Sequence, residues 1–358
     1  MFPQKVFNVA LNHAESYGGE GNRGHIVDLD TDTNAVSIFA RTPDLEVDAI
    51  ECVVTVPTFK RPEHLLKTLD SIAVQETSHR IAVLVIENEA EGREGARAAA
   101  PLIESGRLQG LIIVAHRRGN CAAYNAGWET ALDAFPRFRH LLVIDDDEIA
   151  TPGWLEALWR TAEELDADVV GGPVLPVFPE GSPRGLQSHP VFMPAHDKTG
   201  PVRILVGSGN LLIRRQVMET MERPFMDLAF NFIGGGDSDF LARVAGKGFR
   251  LAWCAEAVAY ETVPARRLEA DWIRARSLRN GVISTLVEKK KRRDQSLGAI
   301  RVIAKSLALL ALSPLRGILL FVATASPSIA MYPVYIGVGR LLAEFGYANE
   351  QYREPHKN

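Results

Sequence analysis

Between residues 50 and 172 the chain repeats one rhythm, and no other stretch limits its fold as tightly. A short apolar run is followed by a segment with apolar residues at helical spacing, and then by another run. "ECVVTV" (51–56), "IAVLVIEN" (81–88), "LIIVAH" (111–116), "HLLVID" (140–145) and "ADVVGG" (167–172) read as buried strands. "RPEHLLKTLDSIAV" (61–74), "NCAAYNAGWETALDAF" (120–135) and "PGWLEALWRTAEELD" (152–166) read as helices, the first and third opened by proline. Strands that alternate with helices predict an α/β fold, a mainly parallel sheet covered by helices on both faces. Ligands of such sheets bind beyond the carboxyl ends of the strands. Residues 57–61, 87–91, 116–120 and 145–148 fall there.

The last of these loops is the most unusual. Asp145, Asp146, Asp147 and Glu148 stand in a row where an apolar strand emerges. Most acidic runs are solvated faces, and Pro152 close behind makes helix-start charge a fair account of Glu148. That account does not cover Asp145 and Asp147. Alternate residues near a strand end share a face, so these two carboxylates can share one divalent cation. Oxygen-only ligands suit Mg2+ or Mn2+, with substrate phosphates completing the shell. No G-x-x-x-x-G-K-[ST] pattern occurs, which argues against a nucleoside triphosphatase.

Outside this rhythm the signals are weaker. Residues 1–48 read as an N-terminal extension, with a hairpin expected in "HIVDLDTDTNAVSIFA" (25–40). "GEGNRG" (19–24) lacks the preceding strand and following helix of a dinucleotide site, and "DLDTDT" (28–33) has Thr33 where a calcium loop turns on glycine. Residues 173–201 are rich in proline and glycine and predict a long loop. "VRILVGSGNLLIRR" (202–215) predicts two strands about a turn, "FIGGGDSDFLARVAGKG" (232–248) a glycine-rich loop entering a helix, and residues 266–290 a long helix. The net charge of -4 carries no nucleic-acid footprint. Cys52, Cys121 and Cys254 are scattered, as buried thiols of a reducing compartment would be. The polar N-terminus lacks a signal-peptide core, so the catalytic part is expected in the cytoplasm.

"VVTVPTFKRPEHLLKTLDSI" (53–72), "VLVIENEAEG" (83–92), "GNCAAYNAG" (119–127), "VIDDDEIATPGWLE" (143–156) and "GGGDSDFLARVAGKGF" (234–249) follow one another as in the family 2 glycosyltransferases, which this chain resembles over roughly residues 50–285. "VVGGPVLPVF" (169–178), "GSGNLLIRR" (207–215) and "YETVPARRLEADWIRARSLRNG" (260–281) most resemble bacterial succinoglycan-type glucosyltransferases. The resemblance implies a GT-A fold and an inverting, metal-dependent transfer of a hexose, glucose foremost, from a UDP-sugar to a lipid-linked or saccharide acceptor. It implies that Pro57, Thr58, Lys60 and Arg61 surround the uracil and ribose, and that Glu87 takes the place of an aspartate that meets the uracil. Asn125 falls in the donor-side helix, where Tyr124 replaces a frequent arginine. Asp145 and Asp147 match the ends of the D-x-D motif, with Asp146 between them on the donor side. Glu261 falls near a third metal ligand, the metal being Mn2+ or Mg2+. Asp237 matches the catalytic base, with Gly236 where glutamate is common. Asp239 is then a helix cap or acceptor contact. Arg276 and Arg279 either neutralise the diphosphate or form a solvated helix face. Trp154 and Trp253 read as core residues rather than sugar platforms.

Beyond the core (49–288), residues 289–358 predict a basic and apolar helical region. "KKKRR" (289–293) precedes a long apolar stretch that Pro314, Arg316, Pro327 and Pro333 break, short of a span of ~20 apolar residues. In-plane or shallowly inserted helices at an anionic membrane are expected, on the cytoplasmic face of a bacterial inner membrane, peripheral or monotopic, ahead of a buried helical subdomain or a hairpin crossing. Two rival readings share the sheet. A nucleotidyltransferase wants a glycine- and basic-rich loop after the first strand, which "PTFKRPEH" is not. A non-catalytic carbohydrate-binding scaffold is disfavoured by the presence of both Asp147 and Asp237.

Overall fold

The computed structural model describes residues 36–347. The expectations for residues 19–24 and 28–33, and for the first half of the hairpin, lie outside the described residues. The chain runs through β1 (Val36–Arg41), β2 (Cys52–Thr58), α1 (Pro62–Ala73), β3 (Ile81–Glu87), α2 (Glu94–Glu104), β4 (Gly110–Ala115), α3 (Asn120–Ala134) and β5 (His140–Ile144). It continues through β6 (Glu148–Ala150), α4 (Trp154–Glu164), β7 (Val169–Gly171), β8 (Val174–Val177), α5 (Arg184–Gln187), β9 (Gly200–Val202) and β10 (Asn210–Arg214). The last elements are α6 (Arg215–Thr220), α7 (Gly236–Gly246), β11 (Leu251–Trp253), β12 (Ala259–Thr262), α8 (Ala270–Lys291), α9 (Gly298–Thr324) and α10 (Pro327–Glu344).

A nine-stranded sheet has the order β1-β4-β3-β2-β5-β10-β7-β11-β9. Its centre, β4-β3-β2-β5, is parallel, and β10 turns antiparallel to both β5 and β7. Strand residues alternate between two cores. Leu84, Ile86, Leu141 and Val143 face α3, α6 and α7, while Val83, Val85, Leu142 and Ile144 face α1, α2 and α4. Burial on both faces explains why these strands read as unbroken apolar runs. Strand order reverses at β2, which has β3 on one side and β5 on the other. That is the place where open α/β sheets leave a crevice.

Several sequence expectations change. The stretch 202–215 is not a hairpin: β10 is flanked by β5 and β7, and β9 pairs with β11 at the sheet edge. The expected loop of 173–201 contains β8, α5 and the start of β9. With β12 and β6, β8 forms a second, three-stranded sheet, and Pro176 sits on its edge strand, where a missing N–H is tolerated. Helix α2 went unread because its buried face is mostly alanine and it contains Pro101. Val36–Arg41 is an edge strand paired to β4 rather than part of an extension only.

Pro314 and Pro333 do not break the C-terminal helices, whereas Pro327 opens α10 where α9 has ended. Pro314 lies inside α9 and Pro333 inside α10. Pro314 removes the N–H that would bond the Leu310 carbonyl, and the Ser313 hydroxyl donates to that carbonyl instead, at 2.7 Å. Helix α9 is thereby long and apolar enough to cross a membrane, and only 11% of its most apolar window is buried. Helices α8 and α10 pack through backbone contact: a Cβ on Gly281 would lie 2.3 Å from the Ile336 carbonyl oxygen, and one on Gly339 2.1 Å from that of Leu278.

Candidate active site

A cleft of about 1330 Å3 opens at the carboxyl ends of β2, β3 and β5. Pockets for small molecules are roughly 300–1,000 Å3, so this one exceeds that range. Asp145, Asp146 and Asp147 lie in the turn between β5 and β6, beyond the strand rather than on it. Asp146 and Glu148 are buried, and Asp145 and Asp147 are partly buried. All three aspartates line the cleft. Glu148 is no helix-start charge. It accepts the Asp145 backbone N–H at 3.1 Å and folds the turn onto itself.

Side chains from three elements hold this turn. Thr58 donates to Asp146 Oδ2 at 2.8 Å, and the Thr68 hydroxyl of α1 lies 2.9 Å from the Asp146 carbonyl and 2.7 Å from that of Glu148. Arg61 Nη1 sits 2.6 Å from Asp147 Oδ2 and 3.4 Å from Asp146 Oδ1. The Tyr124 hydroxyl donates to Asp145 Oδ1. Across the cleft Glu261 of β12 is ion-paired with Arg267. Burial first, and then the neighbouring Asp147, pushes the carboxyls of Asp145, Asp146 and Glu261 above their ordinary range. Too much negative charge has been gathered for the cations present.

Among the described residues no three His, Cys, Asp or Glu side chains are arranged to enclose an ion. Asp147 and Glu261 each face an arginine instead. The donor set still fits a hard divalent cation, because it is all oxygen and its repulsion is what such a cation relieves.

The other predicted residues divide. Pro57, Lys60, Arg61, Asp237, Arg276 and Arg279 line the cleft with Thr58. Asp237 is in the first turn of α7, after Gly235 with its φ of 94°, and neither it nor Asp239 is the N-cap. Burial raises the Asp237 carboxyl above its usual range, opposed by the Ser238 N–H and the charge of Arg276. Asp239 does not line the cleft. It is buried, held by Arg243 at 2.9 Å and Lys290 at 2.8 Å. Glu87 points away as well, accepting the N–H groups of Glu89 and Ala96 at the start of α2. Asn125 is buried, and its amide pairs with both backbone groups of Met226. Trp154 is a core residue donating to Asn210, whereas Trp253 lines the cleft.

The sequence reading missed Asn88, Phe59, Arg118, Arg267 and Trp272, all in the cleft wall. Asn88 follows the last residue of β3, and one step along the chain separates it from Glu87 on the opposite side. Its side chain bonds the carbonyls of Ala115 and Arg117 and the N–H of Gly119, tying two loops together. Arg118 lies 5.1 Å over the Phe59 ring, and Trp272 stacks at 5.9 Å on Phe192.

Residues 53–221 match the family model "Glycosyl transferase family 2". The succinoglycan biosynthesis protein ExoM of Rhizobium meliloti (strain 1021) is 30% identical over 237 residues, 64% of this chain and 72% of the relative. Among solved structures, the mannosyltransferase PcManGT of Pyrobaculum calidifontis, in complex with GDP-Man and Mn2+, superposes with a TM-score of 0.54. It is 18% identical, covering 81% of this chain and 87% of its own. S. aureus TarS 1–349 in complex with UDP aligns at 13% identity and a TM-score of 0.48 over 83% of this chain and 92% of that one.

Proposed function

Because the chain belongs to the family 2 glycosyltransferases, we propose that it moves a hexose, glucose foremost, from a UDP-sugar to a lipid-linked saccharide acceptor, with inversion at the anomeric carbon. The observation that carries this reading is the common cleft: the D-x-D carboxylates and Asp237 line one space large enough for donor and acceptor. The relative named for succinoglycan biosynthesis supports a place in exopolysaccharide assembly. We read residues 49–288 as the catalytic unit, 1–48 as an extension whose β1 joins the edge of its sheet, and 289–358 as its helical attachment.

Pro57, Thr58, Lys60 and Arg61 surround the nucleoside. Asp145, Asp147 and Glu261 are the residues that would hold Mn2+ or Mg2+, a choice the Mn2+ complex of the structural neighbour supports. That ion, when bound, supplies positive charge to the leaving diphosphate. Arg276 and Arg279 add charge from α8. The acceptor hydroxyl oxygen forms a bond to the anomeric carbon as the bond from that carbon to the diphosphate oxygen breaks, and the hydroxyl proton passes to the Asp237 carboxylate. A base held above its ordinary pKa by burial is suited to that transfer. Asp239, buried in its ion pairs, positions α7 rather than meeting substrate.

Attachment to the cytoplasmic face of a bacterial inner membrane is supported by the exposed apolar surface of α9. The basic run before it contributes less than its sequence promised. Lys289 pairs with Glu344 at 2.6 Å, Lys290 with Asp227 and Asp239, and Arg292 with Glu288. Flotation with anionic liposomes tests attachment; full-length protein that stays in the soluble fraction at low salt rejects it. Hydrolysis assayed across UDP- and GDP-sugars, with and without chelator, tests the reaction. Turnover of a UDP-hexose that chelator abolishes is expected, and turnover indifferent to chelator removes the metal from the scheme.

A further inference from the structure

The cleft does not end at Asp237. It follows one face of α8 through Trp272, Arg276, Arg279, Ile283, Val287 and Lys291, positions three or four apart. From Trp272 to Lys291 that face is about 28 Å long at 1.5 Å per residue. At its far end the charge balance inverts. The Glu288 carboxylate accepts from Arg340 Nη2 at 2.8 Å, Lys305 Nζ at 2.9 Å and Arg292 Nε at 3.2 Å. Arg340 is nearly fully buried and is fixed further by the hydroxyls of Ser284 and Ser306. Lys291 lines the same end and is exposed. One carboxylate therefore holds three cations in place, with a fourth beside them. This end opens beside the first turns of α9, where Ile300 is 61% and Leu307 53% exposed, flanking Lys305.

A fixed group of cations bordered by exposed apolar surface is complementary to a phosphate carried on a lipid. We propose that Lys291, Arg292 and Lys305 form a subsite for the diphosphate of a lipid-linked acceptor. The lipid leaves along α9, and the sugars reach back along α8 to Asp237. Arg340 and Glu288 position the cations and do not meet the ligand. The acceptor assignment rests on the transferase reading above; the diphosphate subsite is tested apart from it.

The probe is farnesyl diphosphate in detergent micelles, added to the full chain, with farnesol, inorganic diphosphate and phosphatidylglycerol vesicles as comparisons. Farnesyl diphosphate should bind far better than farnesol. Each of Lys291→Gln and Lys305→Gln should weaken it about tenfold, the loss of one charge-assisted bond. Arg293→Gln, an exposed neighbour outside the cleft wall, should leave binding unchanged. Lys291 is exposed, so its single variant keeps the test valid should Lys305→Gln unsettle the fold. Equal affinity for farnesol, or unchanged affinity in both variants, overturns the proposal. So does a parallel loss of phosphatidylglycerol binding of the same size, which would make the group a membrane-headgroup contact. UDP binding on the same samples reports the transferase reading separately: a chain that binds farnesyl diphosphate through these lysines but no UDP keeps the subsite and loses the transferase.

Discussion

The two ends of the cleft are unbalanced in opposite directions. At the sheet end Asp145, Asp146, Asp147, Glu148 and Glu261 face Arg61 and Arg267, with the charge of Arg276 also reaching Glu261. At the helical end Glu288 alone faces Arg292, Lys305 and Arg340. A structural ion-pair network tends to neutrality, since unmatched buried charge is costly. An imbalance preserved at both ends of one cavity marks what each end lacks: a cation at the first and an anion at the second.

The comparison can be broken at four points, beginning with the largest effect. Asp147→Ala should abolish turnover and weaken UDP binding in the presence of Mn2+; turnover near that of the unaltered chain would show that the acidic end is not a working site. Asp237→Asn keeps the shape and removes the basicity, so the rate should fall by about 10²–10⁴ with donor affinity nearly unchanged. Loss of donor binding at an unaltered rate would move Asp237 to the donor side.

The third point compares one chemical change at the two ends. Glu288→Gln leaves Arg340 buried beside two other cations and should destabilise the fold by about 3 kcal/mol. Asp146→Asn relieves repulsion and should cost less than about 1 kcal/mol. Denaturant midpoints measure both, and equal costs would erase the claimed difference. The smallest effect is a pH shift. The charge of Arg276 lowers the Asp237 pKa against the rise caused by burial. Activity requires the ionised carboxylate and falls as pH drops through that pKa, so Arg276→Gln should move the acid limb of the rate profile to higher pH. A limb that stays put, or moves lower, separates the two residues.

The parallel centre of the sheet was legible because strands buried on both faces leave continuous apolar runs. The short strands were not. β8 carries a proline, β9 has three residues, and their partners are remote in sequence. In the site, residue type was legible and direction was not. Asp145, Asp146 and Asp147 all line the cleft, as a run of acids at a strand end suggests. Glu87 and Asn88 sit on either side of a strand end, and nothing local says which of them turns toward α2. Nor does any window of sequence contain the partners of Lys289 and Lys290, carboxylates on α10, on α7 and at Asp227, whereas Arg292 pairs with Glu288 one turn back on α8.

The glycines where α8 meets α10 have a consequence for solvent. Burial of apolar side chains drives helices together in water and loses that force in hydrocarbon, where lipid is as apolar as leucine. Gly281 and Gly339 bring backbone against backbone, a contact made of dispersion and close carbonyl approach. That fastening does not depend on which medium surrounds α9.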